Sequence, residues 1–507
     1  MRGRAVVKKI SLALIFALSA CGGGSGGTAM FSPAKAAHHR ASSSPIQHIV
    51  IIMQENRSFD NMFYGYPGAD TATSGVGHDG TVYPLKPINL AYGHDQNHYH
   101  YQFLLDYDNG KGDGFDQQIF GNNGSQKYCT AFLWVNYPPC YMIHGVPFNK
   151  EPYTYVIQAQ VQPYWDMAKQ YTLGDKTFSS NNGPTFASHQ YMIAGRSGHA
   201  ADIPSLGGGP WGCDAPNEWE YYLRFGAADP PQYDPTFGHE IKGPDPCFPL
   251  KMTGPDSTYP TIADELDNAG VSWRYYVQPK GQDSWWLNAF EAVKSIRYGP
   301  DWGNGDISSP DTNVLSDIDN GNLQQVSWVM PHGHASDHPG GGSGNCGPNW
   351  VAMIVNAIGK SQYWNSTAVV VMWDEWGGWY DHVIPTQYPD PITKANEGLG
   401  FRVPLLIVSP YAKAGYISHQ QHEIASSIHF IEETFSLPPL GTGTKYHFAD
   451  ERADGFDDVF DFTQKPIKFK AIKLAKEPPV TKPVKLPPCP KVNKEAESQV
   501  WPPEIDY

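Results

Sequence analysis

The stretch His48-Ile49-Val50-Ile51-Ile52-Met53-Gln54-Glu55-Asn56-Arg57-Ser58-Phe59-Asp60 decides how the chain is to be read. Apart from His48, its first seven positions are apolar or amide, and the branched residues suit a strand buried on both faces. A carboxylate, an amide and a guanidinium then arrive together where that strand should end. In open α/β sheets ligands collect outside the carboxyl ends of strands, so Glu55, Asn56 and Arg57 mark a candidate polar site. The plainer reading is a helix N-terminus capped by Asn56 or Ser58.

A second block has the same design. Thr367–Trp373 reads as a buried strand, and Asp374-Glu375-Trp376-Gly377-Gly378-Trp379-Tyr380-Asp381-His382 follows it. Two adjacent acids before a Gly-Gly turn suit oxygen ligation of a hard divalent cation. Adjacent strand residues point to opposite faces, so both acids reach one ion only where the strand has already broken into a loop. The alternative is that they only cap that loop.

Further strands are predicted at residues 271–277, 326–330 and 403–408. A helix over residues 261–269 opens with a Thr261/Asp264 capping box and ends at Gly270. Another, near residues 423–435, carries Ile424, Ile428, Ile431 and Phe435 on one face. Helices between apolar strands predict an α/β fold, a three-layer α/β/α sandwich with a mostly parallel central sheet and long Gly/Pro-rich loops.

The chain has 507 residues, only 17% of them charged, with 51 glycines, 44 prolines and 13% aromatics. This suits a loop-rich globular enzyme rather than a coiled coil or a disordered scaffold. The net charge of −15 argues against a nucleic-acid partner, because phosphate backbones attract basic surfaces. Residues 465–494 hold nine lysines and one acid, a local +8 that leaves −23 on the rest.

Residues 1–20 read as an export signal, with Arg2, Arg4, Lys8 and Lys9 before an apolar run too short to span a bilayer. Leu18-Ser19-Ala20-Cys21 looks like a lipobox, which would place a lipidated Cys21 in the membrane and anchor the protein at the bacterial cell envelope. Residues 21–45 form a flexible Gly/Ser/Ala tether. Residues 46–440 are expected to be the catalytic domain, and 441–507 an irregular Lys/Pro-rich extension ending in an extended strap. Setting Cys21 aside leaves six of seven cysteines, an even number in an oxidising compartment. Six cysteines allow about fifteen pairings, among which the sequence does not choose; the short-range options are Cys129–Cys140 and Cys213–Cys247, which would leave Cys346 for Cys489.

Histidines form two groups, His94, His98 and His100, and His332, His334 and His338. Such clusters bind metals or phosphate oxygens, or carry protons. His338 and one of His94 and His100 are the favoured members; His98 and His334 are not favoured over a supporting or surface role. Residues 178–190 offer hydroxyls at Ser179, Ser180, Thr185 and Ser188, among which spacing alone does not choose.

The Glu-Asn-Arg-Ser-Phe-Asp block, the Gly183-Pro184-Thr185 block, the Ser336-Asp337-His338-Pro339 block and the Asp374–His382 block occur in that order. Together they resemble the bacterial phosphoesterase family of phospholipases C and acid phosphatases, a branch similar in fold to alkaline phosphatases. The resemblance implies that Thr185 is the nucleophile, where relatives have Ser or Thr. It implies a divalent metal ion, calcium, magnesium or zinc, held by Glu55, Asn56, Thr185, Asp374 and Glu375. Asn56, His338 and His94 or His100 would contact the phosphoryl group or protonate the leaving oxygen, with His332 a further candidate. Some phosphatase relatives have Asp at the position of Glu375.

The implied activity is metal-dependent hydrolysis of a phosphate ester or phospholipid through a covalent phosphothreonine. Trp285, Trp286, Trp373, Trp376 and Trp379 could box a choline cation, although aromatics more often fill cores. A sulfatase would need Cys or Ser at the nucleophile, which Thr185 is not. The alternative of another class is a non-catalytic surface lipoprotein that binds phosphorylated ligands.

Overall fold

The computed structural model describes residues 44–90, 95–118, 150–204, 211–215, 219–223, 240–244, 246–250, 258–282, 284–339, 346–388, 398–442 and 448–476. The export signal, the tether up to residue 43, His94, Cys129, Cys140 and Cys489 lie outside them.

Eight strands build the central sheet: β1 (His48–Gln54), β2 (Thr172–Gly174), β3 (Trp273–Tyr276), β4 (Ile307–Ser308), β5 (Val326–Val329), β6 (Thr367–Trp373), β7 (Leu405–Val408) and β8 (Tyr416–Ser418). Their order is β4-β3-β5-β1-β6-β7-β2-β8. All neighbours are parallel except β7, which runs against both β6 and β2. The expectation of a mostly parallel sheet holds. β1 and β6 occupy its centre; β6 is buried at every position and β1 at all but His48, as branched residues on both faces require.

The helices that position the site are α1 (Phe59–Phe63), α2 (His100–Tyr107), α3 (Gln162–Gln170), α4 (Thr185–Ala194), α5 (Ile262–Ala269), α6 (Asn313–Asn320), α7 (Cys346–Lys360) and α8 (Ser426–Phe435). α3, α6 and α7 pack together as one layer, and α4, α5 and α8 as another. The Thr261/Asp264 capping box forms as read, and Gly270 closes α5 at φ 68°. Among the described residues, no helix is long and apolar enough to cross a membrane.

Cys213 and Cys247 form a disulfide, as expected, and Cys346 is itself disulfide-bonded. Phe448, Phe456, Val459, Phe460 and Ile472 belong to the same core as β1, so the described part of the extension packs into the sheet domain.

Candidate active site

β1 and β6 pair in parallel register from His48↔Thr367 to Gln54↔Trp373. Both strands therefore leave the sheet at one level, and Glu55 and Asp374 emerge side by side. The Asn56 backbone N–H donates to Asp374 Oδ1 (3.0 Å), which also accepts from the Glu375 N–H (2.8 Å). The Arg57 N–H donates to the Glu375 carbonyl (3.1 Å). Asn56 sits at φ 58°, a left-handed conformation that asparagine tolerates better than most residues. Gly377 (φ 64°) turns so tightly over it that a Cβ would stand 2.3 Å from the Asn56 carbonyl oxygen. The acids have thus left the strand for a loop, as their joint use requires. The helix-cap reading of the first block holds as well, at Ser58, which caps α1 by accepting from the Asn61 N–H (3.2 Å).

α4 brings the hydroxyl. Ser179 Oγ donates to the Asp374 carbonyl (2.9 Å) and lies 3.2 Å from Ser188 Oγ, while Ser188 Oγ donates to Asn181 Oδ1 (2.7 Å). These bonds fasten the first turn of α4 to the end of β6. Ser180 Oγ accepts from the Ala425 N–H (2.9 Å). Three of the four candidate hydroxyls are thereby engaged in structure, whereas Thr185 heads the helix, buried, in none of these bonds.

One turn on, at i+4 and so on the same face as Thr185, His189 points Nε2 at Asp374 Oδ2, 3.7 Å away. Its Nδ1 lies 3.2 Å from the Leu287 carbonyl, which can only accept, so Nδ1 carries a proton and Nε2 is the nitrogen turned to the carboxylate. His98 repeats the pattern. Its Nδ1 donates to the Gln96 carbonyl (2.6 Å), and its Nε2 accepts from Asn56 Nδ2 (3.3 Å) and stands 3.6 Å from Glu375 Oε1. His100 bonds through Nδ1 to Asn182 Oδ1 (3.0 Å), beside the Gly183-Pro184-Thr185 loop.

His338 lies at the rim, partly exposed, with Nε2 3.7 Å from Asp95 Oδ1. Its loop is locked by the Glu55 N–H, which donates to the Ser336 carbonyl (2.8 Å), and by Arg57 Nε, which donates to the Asp337 carbonyl (2.8 Å). Asp337 is a buttress: burial lifts its carboxyl to about 7, although the Tyr164 hydroxyl donates to it (2.7 Å). His332 pairs with Asp311 through Nδ1 (2.9 Å). Trp373, Trp376 and Trp379 are fully buried, with Arg57 stacked 4.9 Å over Trp379, so they form core rather than an open aromatic box.

Sequence reasoning passed over His98 and His189. The i+4 spacing from Thr185 was a usable signal for His189; nothing in the spacing of His94, His98 and His100 singles out His98.

Five buried polar atoms of these residues have no hydrogen bond: Asn56 Oδ1, His100 Nε2, His189 Nε2, Asp374 Oδ2 and Glu375 Oε1. Most buried polar groups in proteins are bonded, so such a gathering calls for a missing partner. Burial first, and then the charge of Asp374, push the Glu375 carboxyl well above its ordinary range; Asp95 and Glu55 add to this. Imidazole lone pairs that face carboxylate oxygens at 3.6–3.7 Å repel unless a cation or a proton lies between. The donor set of carboxylate and amide oxygens, a hydroxyl and imidazole nitrogens fits a divalent cation.

Among the described residues, two groups of His and Asp have ligand atoms all within 4.8 Å of one another, Asp60/Asp381/His382 and His422/Asp454/Asp458; the acids and histidines of the candidate site are less closely gathered. In the first, Arg402 already supplies positive charge, its Nε 2.8 Å from Asp381 Oδ1.

Residues 46–438 match the Phosphoesterase family, and the chain belongs to that family. It is similar to a non-hemolytic phospholipase C of Burkholderia pseudomallei, 26% identical over 77% of this chain and 55% of that protein. A non-hemolytic phospholipase C of Pseudomonas aeruginosa is 25% identical over 87% of this chain and 63% of its own length. Phospholipase C A of Mycobacterium tuberculosis is 23% identical over 78% of this chain and 73% of its own. The chain thus spans less than two thirds of the first two relatives. A solved protein of the alkaline phosphatase superfamily from Vibrio parahaemolyticus overlaps 55% of this chain and 63% of its own at 10% identity and a TM-score of 0.30, too slight a likeness to weigh on the site.

Proposed function

We propose that the chain is an exported, metal-dependent phosphoric-ester hydrolase of the phospholipase C or acid phosphatase type that works through a covalent phosphothreonine at Thr185. The observation that carries this reading is the gathering of unbonded buried atoms of Asn56, Asp374, Glu375 and His189 beside the helix that Thr185 begins. Glu55, Asn56, Asp374, Glu375 and Thr185 would hold the cation, with His98 and His189 turned toward the same acids. A divalent cation in that place lowers the pKa of a ligating hydroxyl and offsets charge on phosphoryl oxygens.

Thr185 gives up its hydroxyl proton to solvent, Oγ1 attacks phosphorus, and the bond to the leaving oxygen breaks as the new O–P bond forms. The free N–H groups of the first turn of α4 favour the negative phosphoryl group. The leaving oxygen takes a proton from His338 or His100, once protonated at Nε2. Water then cleaves the phosphothreonine and restores Thr185.

The test compares the chain with Thr185→Ala on p-nitrophenyl phosphate and p-nitrophenyl phosphorylcholine, with and without chelator. Threonine- and metal-dependent turnover of the monoester alone means a phosphatase, and preference for the choline diester means a phospholipase C. Activity unchanged in Thr185→Ala overturns the nucleophile, and activity indifferent to chelator overturns the metal. Cell fractionation beside Cys21→Ser tests export and the lipid anchor.

A further inference from the structure

After Phe460 the described chain runs as an extended strap along α7. Trp364 Nε1 donates to the Ile467 carbonyl (2.8 Å), and Phe469 packs over Gly359. Asn356 and Asn349 then hold the backbones of Ile472 and Ala475. The strap thus climbs α7 from its C-terminal end toward its N-terminal end. There Gly347 abuts Asp337, the neighbour of His338. The described strap ends beside Asn349, in the first turn of α7, on the face opposite Gly347.

Its side chains sort by face. Ile467, Phe469 and Ile472 turn inward, while Lys465, Lys468, Lys470, Lys473 and Lys476 are all exposed. Residues 465–476 contain these five lysines and no acid, leaving −20 on the rest of a chain of net charge −15. A strap that served only to cover α7 would let some of these lysines meet that acidity. Among the described residues none of the five forms an ion pair, and Leu474 stands among them 49% exposed. A comb of positive charges with an aliphatic tooth fits a plane of anionic headgroups over an apolar interior. A nucleic acid would have to approach the acidic remainder as well.

We propose that residues 465–476 are a docking edge for a membrane containing anionic phospholipid. This rests on the phosphoric-ester reading only for what the docked chain acts upon. The test is vesicle co-sedimentation of the full chain carrying Cys21→Ser, so that no N-terminal lipid contributes, together with Thr185→Ala, so that no turnover does. Vesicles of phosphatidylcholine are compared with vesicles that also contain phosphatidylglycerol. The chain is expected to prefer the anionic vesicles and to release them at high salt. Lys468→Glu/Lys470→Glu/Lys473→Glu should weaken that binding about 100-fold, whereas Lys86→Glu/Lys176→Glu/Lys294→Glu, of equal charge change, should not. Equal loss in both triple variants overturns the proposal, as does indifference to phosphatidylglycerol or capture by heparin but not by vesicles. A chain that docks as expected but, with Thr185 intact, hydrolyses neither nitrophenyl substrate sinks the proposed function alone.

Discussion

Two buried acid clusters grow from the same two sequence blocks and end in opposite electrostatic states. The first halves of the blocks, Glu55-Asn56 and Asp374-Glu375, form the candidate active site, where oxygens and imidazole nitrogens are left without hydrogen bonds. The second halves, Asp60 and Asp381-His382, meet Arg402. Arg402 bonds Asp381 at 2.8 and 3.2 Å, and His382 Nδ1 bonds Asp60 Oδ2 at 2.7 Å. Both clusters are acid-rich and shielded from water; only one is supplied with cations by the chain itself. A run of motif residues is therefore not a run of catalytic residues. What separates site from scaffold is whether the protein completes the charge balance alone.

The comparison can be broken by experiment. The largest effect expected is on turnover: Thr185→Ala should lower it at least about 1,000-fold while leaving the melting temperature near that of the parent. In the completed cluster, Arg402→Met should cost about 3–5 kcal/mol in urea denaturation, because it strands two buried carboxylates. Glu375→Gln should do the reverse, removing turnover without lowering metal-free stability. The parent chain should gain about 2.7 kcal/mol from its metal at a hundred times the dissociation constant, and the Gln variant should not. If Arg402→Met were tolerated and Glu375→Gln unfolded the chain, the roles of the two clusters would be exchanged.

The smallest effect is a pH dependence. Burial would lower the His382 pKa, but its hydrogen bond to Asp60 and that carboxylate's charge raise it to about 9, against 6.5 for an ordinary histidine. The stability from this pairing is therefore complete below about pH 6.5 and is lost as pH rises through 9. His382→Gln should flatten that decline, roughly 2 kcal/mol once solvent screening of the part-exposed ring is discounted, in denaturation midpoints measured across the interval.

Much of the frame was legible because its signals are local. Apolar branched runs gave β1 and β6 to the residue, and Thr261 with Asp264 announced the start of α5. The reversed direction of β7 was not legible, since the four apolar residues Leu405–Val408 carry no sense of direction. In the site, the acids stood out because they end recognisable strands. His98 did not, because its value comes from Asn56 and Glu375, which are distant in sequence. Arg402 hid the division of labour for the same reason: it reaches Asp60 from across the chain and Asp381 from beyond the next loop.

The grip of α7 on the strap has a consequence for what lengths of chain can be accepted there. Asn349 and Asn356 each both donate to and accept from a single strap residue, Ala475 and Ile472 respectively. Seven residues of helix rise about 10.5 Å, and three residues of extended chain span about 10 Å. The helix thus works as a ruler whose two marks fit that spacing of the strap. Adding or deleting one residue between Ile472 and Ala475 would put one mark out of reach and turn Lys476 toward the apolar face, so this stretch should change in side chain far more readily than in length.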